Sequence, residues 1–95
     1  MIIEIRGKRG EGKSRMAKSI SKKYVVSTLL YEDELLDKFW TDSLVRVSDL
    51  IIVDDVKNYK NTFDIFNRDK LVIRESGKMS YEIDMPDVIL IHKSE

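Results

Sequence analysis

The run Gly7-Lys8-Arg9-Gly10-Glu11-Gly12-Lys13-Ser14 follows the spacing G-x-x-x-x-G-K-[ST]. Glycines at these positions let a backbone curl so that successive N–H groups point inward at an anion. A helix starting at Lys13 adds the positive end of its dipole at the same place. The flanks agree with this reading. Ile2, Ile3 and Ile5 ahead of the run predict a short buried strand, and Arg15 to Lys23 after it predict a helix. Strand, glycine-rich loop and helix in that order form the context a phosphate loop requires. A glycine-rich turn without a ligand is the simpler alternative, but it has no need for Lys13-Ser14 directly after Gly12.

The run is thus the Walker A pattern, and each residue type has a task. The backbone of Gly7, Lys8, Arg9, Gly10, Glu11, Gly12 and Arg15 is expected to line the nucleotide phosphates. Lys13 neutralises the β- and γ-phosphates and counts as catalytic, and Ser14 places its hydroxyl on Mg²⁺.

Asp54 lies forty residues after Ser14, in the run Asp49-Leu50-Ile51-Ile52-Val53-Asp54-Asp55. Four consecutive apolar residues suit a strand covered on both faces, as in a parallel sheet. Carboxylates at its C-terminal end sit at the edge where open α/β sheets bind ligands. Asp54 fits the Walker B position that holds Mg²⁺. Asp55 stands where a carboxylate can take a proton from the attacking water, one methylene shorter than a glutamate there.

Composition sets the bounds. The chain has 95 residues, 42% hydrophobic and 36% charged, with 17 basic and 17 acidic side chains and no cysteine. That predicts a single globular domain without disulfides or thiolate metal sites, in the cytoplasm. No apolar run exceeds four residues, against the roughly 20 a membrane helix needs. Charge is balanced overall but not locally. Residues 1–23 carry eight basic and two acidic side chains, a net +6, and the remainder carries −6. The cationic stretch either faces phosphate or is a solvated helix face.

The remaining elements follow from periodicity. Tyr24–Leu30 reads as a strand. Tyr31–Trp40 reads as a helix with Leu35, Leu36, Phe39 and Trp40 on one side, and Lys60–Lys70 as a short helix. Leu71–Glu75 and the alternating stretch 79–85 read as a hairpin turning at Ser76-Gly77-Lys78. Asp87–His92 reads as a last buried strand returning to the parallel sheet. The expected fold class is α/β: a three-layer P-loop NTPase fold with a mostly parallel sheet and a C-terminal β-hairpin.

Laid out in this way, the whole chain resembles the additional-strand class of P-loop ATPases. Within that class it is most similar to the superfamily 3 helicase core of single-stranded DNA virus replication initiators. The likeness runs from Gly7–Ser14 into Arg15-Met16-Ala17, through Ile51–Asp55, to the hairpin and Met85–Ile91. It implies ATP and Mg²⁺ as ligands, a viral or mobile-element source, hydrolysis between subunits of a ring, and Lys78 at the hairpin tip contacting single-stranded DNA. The family places a polar residue, usually Asn, at the end of the last strand. His92 and Lys93 stand there instead. An arginine finger, an oligomerisation segment and a preceding nuclease domain belong to the family and are not evident in these 95 residues. Arg46, Arg68 and Arg74 are finger candidates, but surface arginines are common and ordinary surface placement is the favoured reading of each. The expectation is therefore a reduced, Mg²⁺-dependent ATPase stimulated by self-assembly or by a protein partner. A non-catalytic nucleotide-binding module is the alternative. A small-molecule kinase would need an acceptor site and a lid, for which the chain leaves little room.

Overall fold

The computed structural model describes residues 1–36, 38–73 and 80–94, and for Leu36, residues 38–41 and Ile73 it describes the backbone alone. Four parallel strands form the main sheet: β1 (Ile2–Ile5), β2 (Ser27–Tyr31), β3 (Leu50–Val56) and β6 (Asp87–His92). Their order is β1-β6-β3-β2. The last strand in sequence thus lies between the first and the third, pairing Ile3 with Ile89 on one side and Ile52 with Ile89 on the other. Leu50–Val53 and Val88–Ile91 are buried throughout, as their unbroken apolar runs require of strands covered on both faces.

The two faces are filled by different helices. Helix α1 (Lys13–Ser21) packs Ala17 against Ile5, Leu50, Ile52, Ile89 and Ile91. On the opposite face, α2 (Lys38–Val47) contributes Leu44 and Val45, and α3 (Tyr59–Phe66) contributes Phe66. These meet Ile51, Val53, Val88 and Leu90. The split follows the strand alternation of side chains. A separate antiparallel pair, β4 (Lys70–Ile73) with β5 (Tyr81–Asp84), forms the expected hairpin and adds Leu71 to the second core. The α/β, three-layer arrangement with a mostly parallel sheet and a hairpin is as expected. The hairpin tip with Lys78, and Arg74, lie outside the described residues, as do the side chains of Leu36, Phe39 and Trp40. Among the described residues, no helix is long and apolar enough to cross a membrane.

Several element boundaries differ from expectation, among them the end of α3 at Phe66 rather than Lys70. Strand β2 starts at Ser27 rather than Tyr24, because Tyr24 closes the turn after α1 and its hydroxyl donates to Asp87 Oδ2 at 2.6 Å. The helix expected over 31–40 is a 3-10 segment at Glu32–Leu36 followed by α2, which runs on to Val47. Two acidic side chains of the 3-10 segment bond to backbone N–H groups. Glu34 accepts from the Tyr31 N–H at 3.2 Å. Glu32 reaches across to α3, accepting from the Lys57 and Asn58 N–H groups and from Thr62 Oγ1 at 2.8 Å. Its carboxylate therefore caps the entry to α3 and complements that helix's dipole. Asn58 Oδ1 accepts from the Asn61 N–H and completes the cap.

Glu32→Ala removes these charge-assisted bonds and leaves the buried Thr62 hydroxyl without its acceptor. The expected cost is about 2–3 kcal/mol, or a fall in Tm of roughly 10 °C or more in calorimetry. An unchanged Tm would mean that water replaces the carboxylate at no cost.

Candidate functional site

The loop between β1 and α1 lies at the C-terminal edge of the sheet, as the sequence predicts. Gly10 and Gly12 take the left-handed backbone conformation, with φ of 86° and 84°. Side chains with a Cβ adopt that region at a cost. Gly12 directly precedes α1, and its carbonyl accepts from the Met16 N–H at 2.9 Å. The loop residues divide between two concavities. Gly10, Gly12, Lys13 and Ser14 line a cavity of about 350 Å³ together with Arg9, Arg15 and Ser94. Gly7, Lys8 and Glu11 line another of about 510 Å³ with Arg6, His92 and Lys93.

Lys13 curls back over the start of the loop. Its Nζ donates to the Gly7 carbonyl at 2.9 Å, the His92 carbonyl at 3.0 Å and Ser94 Oγ at 2.6 Å. An ammonium has three donors, so all three are engaged.

Ser14 and Asp54 both line a third cavity, of about 400 Å³, floored by Ala17, Ile52 and Ile91. Both are candidates from the sequence, and both stand on the wall of this one cavity. Asp54 Oδ1 accepts from the Asp55 N–H at 2.7 Å. Among the described residues, no three acidic or histidine side chains gather as a metal site. A single carboxylate and a hydroxyl suit Mg²⁺, which takes its remaining ligands from water and substrate phosphates.

Asp55 carries an unexpected feature. Its φ is 57°, the one positive value outside glycine among the described residues. It sits in an irregularity of β3, where three steps from Val53 to Val56 oppose two from Leu90 to His92. This is a β-bulge with one extra residue. Without it, Val53 and Val56 would face opposite sides. With it, both enter the core that α3 covers.

His92, at the end of β6, is 19% exposed at the side chain. Its ring bonds Glu4 Oε1 through Nε2 at 2.6 Å and stacks on Tyr59 with centroids 4.6 Å apart. The Arg6 guanidinium, also bonded to Glu4, holds that carboxyl below the usual glutamate range, with the His92 bond adding to the effect. Burial, then the Glu4 charge, pushes the Tyr59 hydroxyl up. A lowered carboxyl stabilises the fold above its ordinary value and stops doing so as pH falls through the lowered one. The two arginines described among the finger candidates are engaged away from this edge. Arg46 donates to the Tyr81 hydroxyl at 2.7 Å, and Arg68 to the Ile65 carbonyl.

Sequence reasoning missed Ser94 and the His92 carbonyl. No local motif marks them, since Ser94 is 81 residues from Lys13 in sequence. The one signal available was topological: a last strand beside β1 must end next to the loop that follows β1.

Compared with known families and with curated proteins, the chain matches none. It is similar in fold to two solved apo structures of the C-terminal region of NrS-1, a viral protein. One superposes over the whole chain with a TM-score of 0.64 at 17% identity. The other, covering residues 305–718 of that protein, does so at 0.59 and 19%. The chain spans 24% and 23% of the length of these two structures. At this identity the likeness is one of fold.

Proposed function

We propose that this chain binds ATP with Mg²⁺ and hydrolyses it slowly, or under stimulation by a partner, as a cytoplasmic component of nucleic-acid replication or remodelling. The observation that carries this reading is that Ser14 and Asp54 line one cavity, while Ser14 also lines the neighbouring one with Lys13, at the edge of a parallel sheet. The position of β6 between β1 and β3 supports the resemblance to additional-strand P-loop ATPases.

Each residue then has a task. The loop backbone and the start of α1 receive the phosphates. Lys13 turns to the β- and γ-phosphates, and Arg9 and Arg15 supply flanking positive charge. Ser14 and Asp54 hold Mg²⁺, which when bound neutralises charge on the β- and γ-oxygens. Asp55 takes a proton from water as that water attacks the γ-phosphorus. The bond to the β-phosphate oxygen breaks, leaving ADP and phosphate. Lys78 is assigned to single-stranded DNA, and a second copy or another protein supplies the arginine finger.

Calorimetry with Mg·ATP, paired with a phosphate-release assay with and without single-stranded DNA, tests this. Heat of binding that chelation of Mg²⁺ weakens, with turnover rising on DNA addition, is expected. No heat and no thermal shift would end the proposal.

A second reading, a nucleotide-binding module without turnover, draws on Asp55, whose left-handed backbone places a short carboxylate in the bulge. Asp55→Gly separates the two readings. Glycine adopts φ near 57° without strain, so stability should hold or rise by up to about 1 kcal/mol. Phosphate release should vanish if Asp55 is the base. Release unchanged from wild type would remove Asp55 from the chemistry.

A further inference from the structure

We infer that Ser94 competes with nucleotide phosphate for Lys13, so that the end of β6 is a latch on the phosphate loop. This inference rests on the phosphate-binding reading above. The Lys13 ammonium is surrounded by three neutral oxygens from three places: Gly7 within the loop, His92 at the end of β6, and Ser94 just beyond it. A cation with all three donors engaged has none left for a phosphate. At least one bond must therefore break when a triphosphate arrives.

The three acceptors are not equally held. Gly7 belongs to the loop itself. His92 is fixed by its ring, through Glu4 and the face of Tyr59, and by its ladder position opposite Val56. The Lys93 N–H makes the last ladder bond, to the Val56 carbonyl at 2.9 Å. Ser94 is the first residue past that bond. Among the described residues, its hydroxyl has one hydrogen bond, the one to Lys13. It also lines the cavity formed by Gly10, Gly12 and Lys13, where the phosphates are assigned. Ser94 therefore holds the place of a phosphate oxygen on Lys13 and is the acceptor able to leave, while the His92 carbonyl stays and keeps Lys13 aimed. Ser94 acts through Lys13 and is a positioning residue.

The prediction is a gain. Ser94→Ala removes the competitor, so Mg·ATP and inorganic pyrophosphate should each bind about 3- to 10-fold more tightly, the worth of one net hydrogen bond. A merely structural role would weaken binding or leave it alone. The Lys13→Ala/Ser94→Ala double variant should show no gain over Lys13→Ala. Titration calorimetry on the four proteins with both probes separates the possible outcomes. If wild type binds and Ser94→Ala binds equally or less tightly, the latch is overturned and the phosphate-binding reading stands. If wild type shows no binding but Ser94→Ala does, the latch is supported in its closed form. If neither binds, both readings fall. If the gain persists without Lys13, Ser94 acts by another route and the latch is overturned.

Discussion

Lys13→Ala is expected to weaken Mg·ATP binding by about 100-fold or more. The estimate comes from the charge of the lost group. A hydrogen bond to a charged partner contributes about 1.5–3 kcal/mol, and in the proposed complex the ammonium faces two phosphates. Two such bonds amount to at least about 3 kcal/mol, beyond the factor of 100 in affinity. Calorimetry at one fixed ionic strength is needed, because salt screens the remaining arginines around the loop. The same substitution removes the three bonds to Gly7, His92 and Ser94 from the empty protein. Stability should nevertheless fall only modestly, since those acceptors lie on a partly hydrated edge. Lys13→Arg keeps the charge but replaces a compact three-donor group with a planar fork. It should bind far less well than wild type despite the unchanged charge. Wild-type affinity in Lys13→Ala would show that the anion is not seated on residues 7–14.

Leu90→Ala should cost about 2–5 kcal/mol. Leu90 is 0% exposed in the middle of β6, the strand that joins both halves of the sheet. Its side chain shares a core with residues of β3, α2 and α3, so no single neighbour can move to fill the space. A domain of this length is stable by only about 5–14 kcal/mol, and the loss takes a large share of that. Urea denaturation should show a lower midpoint with an unchanged slope. Leu29→Ala is the contrast. Leu29 lies on the edge strand β2 and is 56% exposed, and its loss should cost under about 1 kcal/mol. Equal costs at the two positions would mean that β6 is not the centre of the fold.

Much of the fold could be read from particular residues. Val88–Ile91 and Leu50–Val53 could only be strands buried on both faces, and β6 has the bounds expected of it. Tyr81 and Ile83 alternate with polar neighbours and form the hairpin strand. Helix α2 runs seven residues past the expected end at Trp40, through Thr41, Asp42 and Ser43, whose own helix preference is weak. Packing of Leu44 and Val45 into the core overrides that local preference. The same happened in reverse at Glu32, whose long-range bonds to α3 could not be inferred from its neighbours. At the candidate site, the loop and Asp54 were visible because phosphate chemistry ties residue types to fixed spacings. Ser94 was not, because its role depends on where a distant strand ends. The left-handed backbone of Asp55 was not visible either, since aspartate carries no mark of it.

The extra residue in β3 also limits how this chain can change over evolutionary time. Exchanging Asp55 alters one side chain. Deleting it would straighten the ladder, rotate Val56 out of the core and break the bond from Lys93 that closes the sheet. Among descendants of this sequence, insertions and deletions between Val53 and Val56 should therefore be rare. Gaps in an alignment should fall elsewhere, in surface turns such as the one between α3 and β4.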